Sequence, residues 1–389
     1  MNYVILSPHF PPNYYQFCVH LRALGANVLG IADEPFDNLE DELKGALSEY
    51  YYVPNLHNYD DLVRGMGYLT YKWGKIDGLD SHSEYWMETE ARLRTDFNIE
   101  GMVEADLPKI KRKSLMKDMF KKAGVQTAPG IVLRKAADGK RFARKVGFPL
   151  IAKPDIGVGA AHTYKFDDQQ HLDAFLSTMP PVDYFLEKYI HGQIQTFDGL
   201  TDQNGDIVFF SSLVFPRGIM ETVTDDTDIY YYTVRKIPAD LEEAGRRVVR
   251  EYNLRKRFFH FEFFRTSDNE LIGLEVNMRP PGGLTTDMFN YANDFDIYYE
   301  WANMIMHNRF SAIYTRPYHC AYIGRKWNLS YSHSHEEVLA QFESQLVQHE
   351  SISGVFAKVL GDYGYLVRSP DLVEIESMVG FIQEKVSPD

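Results

Sequence analysis

Residues 258–283 read FFHFEFFRTSDNELIGLEVNMRPPGG. Two strand-like apolar runs flank the polar turn Ser267-Asp268-Asn269, and each carries an acid in an apolar setting: Glu262 between Phe261 and Phe263, Glu275 between Leu274 and Val276. Alternate residues of a strand share a face, so Asn277 lies on the side of Glu275 and Arg279 continues it. Two carboxylates and an amide oxygen on adjacent strands suit magnesium, which takes hard oxygen ligands and completes its octahedron with water and phosphate oxygens. One such Glu alone would as readily be half of a buried Glu–Arg pair. The whole set favours the metal.

Upstream, from Pro129 to Ile190, the chain breaks into short segments: Ile131-Val132-Leu133, a helix around 139–146, Phe148 to Pro154, and Thr163-Tyr164-Lys165-Phe166. The last two enclose Asp155-Ile156-Gly157-Val158-Gly159-Ala160, and a glycine loop between two strands predicts a hairpin. Gly157 and Gly159 lack the third glycine and following helix of a dinucleotide fingerprint, and no Gly-x-x-x-x-Gly-Lys loop occurs in the chain. The phosphate-binding candidate is therefore a flexible hairpin, whose glycines let backbone N–H groups approach phosphate oxygens while Lys153 adds positive charge.

Before it, a helix is marked from Asp106 as N-cap through Pro108 in the first turn to Gly124 as the stop. Leu115, Met116, Met119, Phe120 and Ala123 form its apolar stripe. Lys109, Lys111, Arg112, Lys117, Lys121 and Lys122 read as a solvated face, whereas Lys113, three and seven residues before Met116 and Phe120, sits at the stripe's edge and can enter a cleft. The first hundred residues suggest parallel strand–helix–strand units, beginning with Tyr3 to Leu6 and Asn27 to Ile31, without the glycines of an NAD-binding turn. Ile76 to Leu79 is a further strand candidate. Ser81-His82-Ser83-Glu84 beyond its end is either a polar loop or a ligand-binding edge.

The 389 residues carry 55 Asp+Glu against 41 Lys+Arg, a formal net charge of -14, which argues against non-specific binding to nucleic acid or an anionic membrane. Two cysteines, Cys18 and Cys320, support neither a disulfide framework nor a zinc site and suit a reducing cytosol. The N-terminus lacks the features of a secretory leader, so a cytoplasmic location is expected. His319, His333 and His335 lack the spacing of a zinc pair.

Taken in order, Lys113 in its helix, Lys153 before the glycine hairpin, Glu187-Lys188-Tyr189-Ile190, and Glu262 with Glu275-x-Asn277-x-Arg279 resemble the ATP-grasp ligases, which include biotin carboxylase, D-alanine–D-alanine ligase and the L-amino-acid ligases. The resemblance covers roughly residues 106–310. It implies an α/β fold with an N-terminal Rossmann-like domain (1–105), an ATP-grasp domain (106–310) with a mobile lid at about 129–190, and a C-terminal segment (311–389) completing it. Lys113 and Lys153 look like the residues gripping the ATP phosphates, Gly157, Gly159 and Ala160 like the lid tip, and Glu187, Lys188, Tyr189 and Ile190 like the hinge whose backbone reads adenine. Glu262, Glu275 and Asn277 look like ligands of Mg2+ or Mn2+, and Arg279 would neutralise charge at the transferred group. Relatives carry a ribose-binding acid where this chain has Ile194, so Gln193 or Gln195 is the substitute. Of Arg235 and Lys236 only one can face the site, and Lys236 is favoured because biotin carboxylase has a lysine at what looks like the same place. The Pro280-Pro281-Gly282-Gly283 turn resembles the substrate-binding loop of the amino-acid ligases.

The activity this implies is carbon–nitrogen ligation with ATP and Mg2+: a small carboxylate, an amino acid or peptide-like acid, is joined to an amine through an acyl phosphate, with ADP and phosphate released. Bicarbonate activation of the biotin-carboxylase type and a non-catalytic nucleotide-binding protein are the alternatives. The expected partners are small molecules, with no nucleic acid or membrane, and a homodimer is allowed.

Overall fold

A computed structural model of the chain describes residues 1–157, 162–218, 226–352 and 354–386. The strands are β1 (Asn2–Leu6), β2 (Asn27–Ala32), β3 (Glu49–Tyr52), β4 (Gly78–Asp80), β5 (Gly130–Leu133), β6 (Leu150–Pro154), β7 (Tyr164–Phe166), β8 (Tyr184–Lys188), β9 (Gln193–Thr201), β10 (Ile207–Ser211), β11 (Leu213–Phe215), β12 (Tyr230–Thr233), β13 (Phe258–Arg265), β14 (Leu271–Asn277), β15 (His319–Arg325), β16 (Leu346–Ser351) and β17 (Tyr363–Ser369).

The first four form a parallel sheet in the order β3-β2-β1-β4. Val4, Leu6, Leu29 and Ile31 are buried to one side and Tyr3, Ile5 and Val28 to the other, the two-faced burial that helical crossovers impose on parallel strands. Strand order turns back between β1 and β4, so the loops after these strands open side by side at the sheet's carboxyl edge. From the first loop, the Tyr14 hydroxyl donates to the Pro281 carbonyl at 3.0 Å and Asn13 Nδ2 to Asp287 at 2.7 Å. From the second, Glu84 reaches the cavity described below.

The helix expected from Asp106 to Gly124 is in fact two, Leu107–Lys111 and Lys113–Lys122. Arg112 between them is extended, with φ -91° and ψ 118°, because it bridges to Ile156 as a short antiparallel strand would. The Lys113 N–H then donates to the Asp155 carbonyl and the Ser114 N–H to the Asp155 carboxylate, both at 2.8 Å. This break starts the second helix afresh at Lys113 and aims its first turn at the cavity. Gly124, at φ +70°, closes it in the left-handed region where glycine has no Cβ penalty.

β5, β8, β6 and β7 form a second, antiparallel sheet in that order, packed on the Ala136–Val146 and Gln169–Ser177 helices. β6 and β7 pair as the expected hairpin. Its Gly159 and Ala160 lie outside the described residues. The third sheet has nine strands, running β14-β13-β9-β11-β12-β15-β17-β16 with β10 on β9, and it contains strands from the 311–389 segment alongside those of 193–277.

Candidate active site

A cavity of about 760 Å³ opens where the three sheets meet. Its floor follows from strand register. β13 pairs with β14 on one side and β9 on the other, giving two polar cross-strand rows: Asn277–His260–Asp198, then Glu275–Glu262–Thr196. A third row, Ile272–Phe264–Ile194, is apolar and runs on to Phe215 of β11. Alternation sends Phe259, Phe261 and Phe263 into the core below, so His260, Glu262 and Phe264 face the cavity.

Opposite the acids stand three lysines. Lys153 Nζ lies 2.8 Å and Lys117 Nζ 3.1 Å from the Glu187 carboxylate, which is 3% exposed. Burial alone would raise the Glu187 pKa, but the two ammonium groups outweigh it and bring it down to about 2. Glu187 therefore holds two cations in place. Lys113 Nζ donates to the Gly157 carbonyl at 2.9 Å and sits 3.8 Å from Glu275.

His260 bridges the acids: Nδ1 lies 2.6 Å from Asp198 and Nε2 3.2 Å from Glu262. Burial opposes its charge, yet the two carboxylates raise its pKa to about 9. It is a cationic strut that fixes one Glu262 oxygen. Glu275 has the opposite balance, its pKa raised by burial and by the like charge of Glu262 against the pull of Lys113 and Lys153. Two facing carboxylates of which one resists ionisation fit a cation between them. Among the described residues no group of three or more His, Cys, Asp or Glu could hold a metal by itself. Glu262, Glu275 and Asn277 offer the partial shell of a magnesium that keeps water and phosphate oxygens.

Lys113, Lys153, Glu187, Lys188, Tyr189, Ile190, Glu262, Glu275, Asn277 and Arg279 all line the cavity. In the segment expected as the hinge, the Lys188 and Tyr189 N–H groups donate to the Pro129 and Pro149 carbonyls. Arg279 lies 3.5 Å from Glu84, which also takes Lys111 at 2.9 Å.

Gly157 meets the site only through its carbonyl, which accepts from Lys113, and two further expectations fall elsewhere. Gln195 is on the far face of β9, where it accepts from Arg265 at 3.3 Å, because Ile194 takes the inward position. Lys236 is exposed, beyond the end of β12 at Thr233, and does not line the cavity. Its neighbour Arg235 is tied to the carbonyls of Arg316 and Pro370. Lys117, read as solvated, is 4% exposed and lines the site. Its place four residues after Lys113 was the available signal. His260, two residues before Glu262, was legible by the same strand alternation that paired Glu275 with Asn277.

Residues 146–288 match the ATP-grasp domain family, and Glu187, Glu262, Glu275, Asn277 and Arg279 of the cavity fall within that span. The chain carries an ATP-grasp domain. The L-arginine-specific L-amino acid ligase of Bacillus subtilis is 25% identical over 221 residues, which are 54% of this chain and 53% of that protein. The chain thus spans about half the length of that curated relative. Among solved structures, the L-amino acid ligase from Bacillus licheniformis has a TM-score of 0.77 at 15% identity, covering 100% of this chain and 99% of its own. The biotin carboxylase domain of the Hydrogenobacter thermophilus 2-oxoglutarate carboxylase, solved with MgADP, ADP and bicarbonate, reaches 0.73 at 15% identity, covering 99% of this chain and 90% of its own. At such identities the likeness is one of fold. It is the α/β ATP-grasp fold that the motifs implied. No helix among the described residues is long and apolar enough to cross a membrane.

Proposed function

We propose that this ATP-grasp protein is an ATP- and magnesium-dependent ligase joining a small carboxylate, an amino acid or peptide-like acid, to an amine, with release of ADP and phosphate. One observation carries this reading: the facing acids Glu262 and Glu275 share a cavity with Lys113, Lys117, Lys153 and Arg279. We assign residues 1–105 to an N-terminal domain, 106–310 to the ligase domain with its lid at about 129–190, and 311–389 to a completing segment.

A carboxylate oxygen is a poor leaving group at neutral pH, so it must be activated. In this reading the substrate carboxylate oxygen attacks the γ-phosphorus of ATP, the bond to the β-phosphate oxygen breaks and ADP leaves. The amine then attacks the acyl carbon, phosphate departs with the carbon–oxygen bond, and the amine loses a proton. The protein's part is positioning and charge neutralisation. Lys153 and Lys117, held by Glu187, and Lys113 would grip the phosphates. Glu262, Glu275 and Asn277 would hold magnesium, which when bound offsets triphosphate charge. Arg279 would face the transferred phosphoryl or the acyl carboxylate.

Hydroxylamine tests this directly. With the right acid, ATP and magnesium, but no natural amine, it should trap a hydroxamate with stoichiometric ADP. AMP with pyrophosphate would show adenylation instead. ADP release that responds to bicarbonate and to no organic acid would favour a carboxylase, and the absence of turnover with every acid would favour a nucleotide-binding protein.

A further inference from the structure

We infer that the acid taken by this site carries an apolar side chain, a reading that rests on the ligase assignment above and narrows its substrate. The apolar cross-strand row does not stop at Ile194 but continues through Phe215, whose ring stacks on Tyr231 with centroids 4.7 Å apart and planes 21° from parallel. Leu360 and Phe356, from the Gly354–Leu360 helix, close the corner over these rings. The corner abuts the Pro281-Gly282-Gly283 turn. A Cβ at Gly283 would lie 2.7 Å from Leu360 Cδ1 and 3.4 Å from the Tyr231 hydroxyl. That hydroxyl is in turn 3.4 Å from Thr285 Oγ1, which donates to the Gly282 carbonyl at 2.8 Å. Tyr231, stacked between Phe215 and Tyr322, borders the cavity while its polar tip is tied back to the helix that follows the turn.

The carboxylates are placed elsewhere, and the one charged residue of the Gly354–Leu360 helix that lines the cavity is Lys358. Among the described residues lining the cavity the carboxylates are Glu84, Glu187, Glu262 and Glu275. Glu84 pairs with Lys111 and Arg279, Glu187 with two lysines, Glu262 with His260, and Glu275 faces Glu262 and Lys113. None of these four carboxylates is in the aromatic corner, so a guanidinium or ammonium side chain placed there would lose its hydration without gaining a carboxylate partner among the described residues. A hydrocarbon or aromatic side chain would gain contact with Phe215, Tyr231 and Leu360, and its carboxylate would lie toward Arg279. This separates the site from that of the Bacillus subtilis relative, whose name specifies arginine.

Calorimetric titration of the full chain in Mg-ADP with leucine, methionine, phenylalanine, arginine, lysine and glutamate tests the inference, with ADP release from Mg-ATP measured in parallel. The apolar amino acids should bind at least about tenfold more tightly than the charged ones, the discrimination a hydrophobic pocket can supply. Phe356→Glu, at a half-buried position, should weaken phenylalanine and leucine binding about tenfold and strengthen arginine binding. Tightest binding of arginine, lysine or glutamate, binding of no member of the panel, or unchanged affinities in Phe356→Glu would overturn the inference. ADP release with charged acids alone would keep the ligase and discard the apolar class. Tight apolar binding without ADP release for any amine would keep the class of ligand and discard the ligase.

Discussion

Two buried charge clusters in this protein are built from similar parts and end differently. In the first, Arg257 lies 3.2 Å from both Asp80 and Glu90, Arg94 lies 2.9 Å from Glu90, and all four residues are less than 10% exposed. Its remaining donors end on backbone carbonyls, Arg257 Nε on Met278 at 2.8 Å and Arg94 on Leu79. Two cations meet two anions, and the cluster links β4 and the Met87–Phe97 helix to the start of β13. In the second, Glu262 and Glu275 face each other and Lys113 approaches no closer than 3.8 Å, with open cavity between them. The difference teaches that burial of charge does not itself mark a site. Asp80, Arg94 and Arg257 also border a second cavity of about 330 Å³, so access to a cavity is not the distinction. A network whose charges are closed on one another holds elements together, and one left open, with two acids facing each other, is arranged for something else to complete it.

The largest expected effect breaks the open cluster. Glu275→Gln keeps the shape but removes a charge that offsets the triphosphate, so turnover should fall by roughly three orders of magnitude, while the melting temperature stays within a few degrees of the parent. ADP release and thermal melting by circular dichroism measure both. Wild-type turnover in this variant would remove the metal assignment.

The closed cluster should respond the other way round. Arg257→Met leaves two buried carboxylates to share Arg94 alone and should cost about 3–5 kcal/mol of stability by urea unfolding. Nucleotide affinity of the fraction that folds should be unchanged. A selective loss of nucleotide binding, with stability intact, would merge the two clusters into one functional unit.

A smaller contrast lies along a single helix. Lys117→Ala removes one of the two cations on Glu187 and should weaken Mg-ATP binding roughly tenfold or more, whereas Lys121→Ala, exposed beside Asp118, should be within twofold of the parent. Equal effects at both positions would mean a general basic patch rather than a site.

The smallest effect is the acid sensitivity of the closed cluster. His82, packed among Phe17, Trp301 and Tyr14, has its pKa lowered to about 4 by burial, with Arg257 and Arg94 adding to the shift against Asp80. The unfolded chain, with a histidine near 6.5, binds the proton first as pH falls, so stability is lost from about pH 6.5 down towards 4. Between pH 7 and 5 the share of His82 in this loss should be on the order of 1–2 kcal/mol, read by urea unfolding as the difference between the wild type and the His82→Gln variant. His82→Gln should lose measurably less, and an equal loss in both proteins would place the sensitivity elsewhere.

What could be read in the chain was local. The β13–β14 hairpin has its turn in the sequence, so period-two alternation alone brought Glu262, Glu275 and Asn277 to one face, and Lys113 followed from its place on a helical stripe. The β6–β7 pairing and the parallel N-terminal units were legible for the same reason, since apolar periodicity and turn residues act over a few positions. Tertiary structure decided the rest. Pairing of β9 with β13 brings Asp198 to His260 across 62 positions and turns Ile194 inward and Gln195 away. Lys117 is a site residue only because β8 passes opposite it with Glu187, and Lys236 is outside because β12 ends at Thr233 and the neighbouring Arg235 is fastened to Arg316 and Pro370. Local periodicity says which side of its own element a residue is on. Which distant element lies across from it is set by burial of the whole core and by strand register, and no short stretch of sequence contains either.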